Sequence, residues 1–254
     1  MKSEELASAF ERSSTPFLSS YRDQAWPVDS VVAIASLKMH DHHLPSRFTA
    51  TRERWLKQVD DRLDPVTGLI PHRVDAKTGK PLMGARGSSQ ALLLRFLLEI
   101  DPLMGRRHYV SFRSQFAAAG WLLPGVREYP HGIDGEGDVD SGPLIGGVSL
   151  SATVTSIAPA RMVKDDKLSE PIFQIGEGMG IPMAWQGERR YLGGQLPIAD
   201  AFLVYARTAQ PWAEAPDMVE GPALVSWWWR LAWHAATLLP ICGLLYFAFR
   251  KRRG

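Results

Sequence analysis

Apolar residues recur at helical spacing in four stretches of the chain, 28–40, 49–63, 88–100 and 103–119. Two further stretches, 143–162 and 197–209, carry a weaker version of the pattern, and the first is rich in Gly, Ser and Thr. Between them, 64–87 and 123–142 are long and heavy in Gly, Pro and Asp. Ordered loops of that length inside a compact domain are usually functional. The pattern predicts an all-α body over residues 1–222.

The polar residues that open the helices repeat loosely. Asp29, Ser88, Asp140 and Asp200 follow one another at steps of 59, 52 and 60 residues. Each period holds a more apolar helix and then a more charged one, which makes the unit a helical hairpin. Stacked hairpins of one repeat length predict a solenoid or a ring, with the apolar helices inside and their polar starts at one rim.

The last apolar run differs in kind. Leu231 to Phe249 is nineteen residues without a formal charge when His234 is neutral. About 20 residues cross a bilayer core, so 223–254 reads as a transmembrane helix with a basic tail. Trp227, Trp228, Trp229 and Trp233 crowd one end, and Arg250, Lys251, Arg252 and Arg253 follow the other. Basic residues favour the cytoplasmic side, which places the C-terminus there and the body on the periplasmic or extracellular face of a cell membrane. An exported body needs a targeting segment, and MKSEELASAFERSSTPF is polar and amphipathic. This reading therefore expects a missing N-terminal part as well.

Charge narrows the partners. Setting aside Arg230 and Arg250–Arg253 from the 29 basic residues leaves 24 against 27 acidic ones. Such a body has no electrostatic footprint for nucleic acid. Cys242 is the sole cysteine, so the body has neither a disulfide framework nor a thiolate metal site.

Two motifs resemble a known family. Trp26-Pro27-Val28-Asp29-Ser30 opening a helix resembles the Trp…Asp rim motifs of (α/α)6 toroid, or six-hairpin, enzymes, and the turn Asp64-Pro65-Val66-Thr67-Gly68-Leu69-Ile70 is similar to theirs. The resemblance spans residues 20–210 and implies a partial (α/α) toroid. It implies a glycosidase-like activity, or that of the linalool dehydratase-isomerase-like branch, which acts on terpenoid alcohols. A full ring needs roughly 330 residues at this period, so the chain accommodates about four of six hairpins.

The chemistry concentrates in one loop. Residues 127–141 hold Glu128, Asp134, Glu136, Asp138 and Asp140 with Arg127, Tyr129 and His131. Glycosyl transfer needs two carboxylates in different environments. Asp29, Glu128, Asp138 and Asp140 are the candidate catalytic set. Trp26, His72, Arg73, Arg86, Ser89, Gln90, Arg127, Tyr129 and His131 are the candidate substrate-binding set. The alternating carboxylates 134–140 suit Ca²⁺ as another reading, though Val139 stands where an EF-hand needs glycine. The plain alternative is a solvated loop in which Asp140 caps a helix. His40, His42 and His43 end a helix with no further metal ligand nearby, and no metal or cofactor is expected. The reading is thus a membrane-anchored, glycoside hydrolase-like protein acting on a glycan or small molecule. Its rivals are a lyase or isomerase on a terpenoid-like alcohol and a non-catalytic binding fragment.

Overall fold

A computed structural model describes residues 2–21, 23–119, 124–195, 197–212, 215–225 and 229–252. The chain begins with α1 (Lys2–Arg12), β1 (Gln24–Ala25), α2 (Pro27–His43) and α3 (Thr49–Asp60). A hairpin of β2 (Arg73–Asp75) and β3 (Pro81–Met83) leads into α4 (Gly87–Ile100) and α5 (Pro102–Phe116). Four short strands follow: β4 (Ala117–Ala119), β5 (Pro124–Arg127), β6 (Leu144–Ile145) and β7 (Val148–Ser149). Then come α6 (Leu150–Met162), α7 (Asp166–Met179), β8 (Met183–Trp185), β9 (Glu188–Arg190), α8 (Pro197–Thr208) and α9 (Trp229–Arg252).

The helix starts are written in the sequence. Pro27 and Pro102 take the first helical turn, where a missing N–H costs nothing. Asp101 caps α5 by accepting from Met104 N at 2.7 Å, and Ser149 caps α6 by accepting from Ala152 N at 3.2 Å. Helix α4 is buried on nearly every side, through Ala91, Leu93, Leu94, Leu97, Leu98 and Ile100. It packs on α2, α5 and α6, and α6 in turn packs on α7 and α8. The core sits between these helices.

Three antiparallel sheets, ordered β1-β2-β3, β4-β5-β7-β6 and β8-β9, overturn the all-α partial toroid expected from the pattern. The reasons are local. The run 103–119 stops being helical at Phe116, because Ala117–Ala119 pair with Pro124–Val126 instead. The run 143–162 opens as a hairpin, Leu144 and Ile145 facing Ser149 and Val148 across Gly146-Gly147. Both glycines have positive φ, +58° and +81°, as a two-residue hairpin turn demands. Helix α6 therefore starts at Leu150, and Asp140 does not cap it.

The membrane anchor is also overturned. Among the described residues no helix is long and apolar enough to cross a membrane. The apolar run of α9 is broken by His234, Thr237, Pro240 and Gly243. Its expected single-pass topology and cell-membrane placement lose their support with it. Trp227, Trp228 and Arg253, counted among the flanks, lie outside the described residues.

Buried charge is handled in pairs. Arg95 Nη1 donates to Glu99 Oε1 at 2.6 Å, one turn along α4, and its guanidinium lies 4.8 Å from the Trp212 ring centre. Trp212 N donates to the same glutamate at 2.9 Å, which ties the segment after α8 to α4. His108 has no such partner. It is buried with both ring nitrogens unpartnered among the described residues, and burial, helped by Arg107, pushes its pKa down to about 4. A folded pKa below the unfolded 6.5 means that stability is full above pH 6.5 and falls as pH drops toward 4. The whole shift corresponds to about 3 kcal/mol. We expect His108→Leu to be at least as stable as wild type at pH 7 and to flatten the loss of stability between pH 6.5 and 4 in denaturant titrations. An unchanged slope would show that His108 is not the source.

Candidate functional site

The starts of α2, α4 and α6 open onto one cleft of about 500 Å³. Trp26, Val28 and Asp29 come from the head of α2, and Ser88, Ser89 and Leu92 from the head of α4. His72 enters ahead of β2, and Val139 and Asp140 enter from the end of the 127–141 loop. Ser151 and Thr155 of α6, Phe202 of α8 and Tyr21 complete the lining. Trp26 and Tyr21 pack edge to face at 5.6 Å, giving one wall an aromatic corner.

His72 is positioned by backbone and side chain together. The turn at Asp64-Pro65-Val66-Thr67-Gly68 closes through Thr67 Oγ1, which donates to Asp64 Oδ2 at 2.5 Å, and Gly68 adopts φ +67°. Asp64 also accepts from Ala85 N at 3.2 Å, and His72 N donates to Gly84 O at 3.2 Å. These bonds hold the β2–β3 hairpin against the head of α4. There Nδ1 of His72 forms a short hydrogen bond with Ser89 Oγ. Burial above all, with the charges of Arg86 and Arg73, pushes the His72 pKa down to about 4, against the opposing charge of Asp138. The imidazole is neutral at physiological pH.

Arg86 is the hub beneath the cleft. Its Nε donates to Glu128 Oε1 at 2.7 Å and its Nη1 to Asp138 Oδ2 at 2.5 Å, while its guanidinium lies 5.1 Å from the Tyr129 ring centre. Ser88 adds its backbone N–H and its hydroxyl to Glu128 at 3.1 and 2.7 Å. Burial pushes the Glu128 carboxyl up, while Ser88 and Arg86 pull it back. For Asp138 burial acts the same way, but Arg86 and the N–H groups of Ser141 and Asp140 outweigh it and hold the carboxyl below its usual range. Gly87 locks the arrangement: its N–H donates to Glu128 O at 2.8 Å, and a Cβ there would sit 1.9 Å from the Arg127 carbonyl oxygen. Only glycine permits that approach.

The structure thus divides the candidate residues. Asp29, Asp140, Trp26, His72 and Ser89 line one cleft. Glu128 is fully buried and supports Arg86 rather than facing the cavity. Asp138 stands beside the cleft, paired to Arg86. Gln90 is buried and donates to Ile70 O at 2.6 Å. Arg127 turns to Asp134 at 2.8 Å, Tyr129 donates to Glu136 O at 2.9 Å, and His131 is exposed against Ala117 O. These residues fold their loop onto itself, and Arg73 belongs to β2 outside the lining. Tyr21, Ser151, Thr155 and Phe202 were missed. Ser151 and Thr155 stand four residues apart in the sequence, a polar i, i+4 pair that marks one face of α6.

Asp29 and Asp140 are exposed, and among the described residues neither carboxylate has a hydrogen-bond or ion-pair partner. Two free carboxylates, a neutral imidazole and an aromatic corner can bind a hydroxylated molecule and move protons on it. One nitrogen of His72 and one oxygen each of Asp138 and Asp140 lie within 4.8 Å of one another, the one grouping among the described residues able to hold a metal. Fold and cleft define a helical protein with small sheets and one acidic, aromatic-walled cavity at the helix heads. No family model matches the chain, and no curated protein matches it.

Proposed function

We propose that the cleft binds a glycan-like substrate and cleaves a glycosidic bond by acid/base catalysis. The observation that carries this reading is that Asp29 and Asp140, from elements over a hundred residues apart, face one cavity with no partner of their own. Paired carboxylates across a cleft are what glycoside hydrolysis needs. Trp26 and Tyr21 offer faces that suit the apolar side of a sugar ring, and Thr155 offers a hydroxyl for its polar edge. The resemblance of residues 26–30 and 64–70 to six-hairpin enzyme motifs adds to the reading. Asp29 stands in the first turn of α2, where the helix dipole favours an anion, and takes the part of base or nucleophile. Asp140 faces the same cavity as the second carboxyl of the pair.

The test is turnover of a panel of aryl glycosides by wild type, Asp29→Asn and Asp140→Asn. Each substitution is expected to lower turnover by about 10²–10⁴-fold, the usual worth of a positioned acid or base. Asp140→Asn should leave the melting temperature unchanged, and Asp29→Asn should cost only about 0.3–1 kcal/mol, the worth of an anion in a helix's first turn. Wild-type turnover in both variants would remove the catalytic assignment.

A further inference from the structure

The three-residue grouping in the cleft has a feature that an acidic loop alone lacks. His72 is 4% exposed, its Nδ1 is taken by Ser89, and its Nε2 has no protein partner among the described residues. The side chain nevertheless forms part of the cleft wall. Nε2 keeps accessible surface at the cleft wall, so it is open to a ligand arriving from the cleft. Asp140 likewise offers a carboxylate that nothing in the protein holds.

We propose that His72, Asp138 and Asp140 form a site for one divalent first-row transition metal ion, with His72 Nε2 and one oxygen of each aspartate as ligands. Ligand bonds of about 2.0–2.2 Å put ligand atoms about 3–4 Å apart, slightly closer than the 4.8 Å within which one nitrogen of His72 and one oxygen of each aspartate lie. Asp140 is exposed and its carboxylate is unpartnered among the described residues, so it can close that gap. Imidazole selects Zn²⁺-like ions over Ca²⁺ and Mg²⁺, which prefer oxygen alone. Three protein ligands leave a coordination position open toward the cleft.

The surroundings suit this use. Ser89 fixes the ring, as the outer-shell partners of ligand histidines do. Asp138 keeps its orientation through Arg86 on one oxygen and the N–H groups of Asp140 and Ser141, at 3.0 and 3.1 Å, on the other. Arg86 and Arg73 oppose a cation, while Asp138 and Asp140 favour it and Glu128 offsets the charge of Arg86. The site rests on the cleft and not on the hydrolytic reading. With the ion bound, Asp140 would be a ligand, and the ion would supply Lewis-acid chemistry at its open position.

Calorimetric titration of the full chain with Zn²⁺ at neutral pH tests this, with Ca²⁺ and Mg²⁺ as comparison ions. One Zn²⁺ per chain is expected, with Kd raised at least tenfold in Asp140→Asn and binding lost in His72→Ala. Asp29→Asn and Asp134→Asn are expected to bind as wild type does. Asp140→Asn alters an exposed, unpartnered side chain, so it reports on the site even if His72→Ala misfolds. Absent stoichiometric Zn²⁺ binding, or unchanged affinity in Asp140→Asn, would overturn the site. Zn²⁺ binding with no glycoside turnover would reject the hydrolytic reading alone.

Discussion

Arg86→Met is expected to lower the unfolding free energy by about 3–5 kcal/mol, the cost of stranding a buried charge whose partner has gone. Arg86 is 3% exposed and holds a fully buried Glu128 together with Asp138. Without the guanidinium, Glu128 keeps only Ser88 and must take up a proton or drag water inward. Asp138 at the same time loses its anchor, and the end of the 127–141 loop loosens beside the cleft. Chemical denaturation of the single variant, of Glu128→Gln and of the double variant would separate the effects. A double variant more stable than Arg86→Met identifies the stranded carboxylate as the cause. Equal stability of Arg86→Met and wild type would show that the pair is dispensable.

Asp165→Ala should be of similar size, about 4 kcal/mol, by a different route. Asp165 accepts from Tyr109 Oη at 2.8 Å, from Leu168 N at 3.2 Å and, at short range, from Arg113 Nε. It is at once the counter-ion of a buried arginine and the N-cap of α7. Truncation removes both, and Tyr109 Oη, whose ionisation burial already opposes, loses its acceptor. Pairing Asp165→Ala with Arg113→Met should restore about half the loss, since the remaining cost is the missing cap and packing. A loss below about 1 kcal/mol in Asp165→Ala would mean that Arg113 reaches solvent by another path.

Much of the helical frame was legible because its signals are local. Pro27, Pro102 and the run Ser88–Ile100 mark starts and periodicity that no tertiary contact overrides. The strands were not legible, since two to four residues carry no periodicity of their own. Ala117–Ala119 read as helix because alanine favours helix more than any other residue. Only the partner strand at 124–126, beyond the helix, decides otherwise. Gly146-Gly147 was the available hairpin sign, and it lay hidden in a stretch read as a weak helix. For the site, Asp29 and Asp140 were chosen as polar residues at helix heads, and they share a cavity although Asp140 heads no helix. What failed was telling support from surface within 127–141. Glu128 looks like its neighbours in sequence, and its inward turn depends on Arg86 and Ser88, forty residues away. The apolar run 231–249 was weighed by its length and lack of charge, while its interior His, Thr, Pro and Gly were discounted.

The close approach at Gly87 has a consequence for how this protein can change over time. Main chain meets main chain there, at the root of the loop, and a second fastening at Asp138 secures the far end. The stretch between these two rivets is tied by Arg127 to Asp134 and Tyr129 to Glu136, so only positions that make no such tie are free to drift among descendants. The loop's share of the cavity wall, Val139 and Asp140, lies past the second rivet and would persist through such drift.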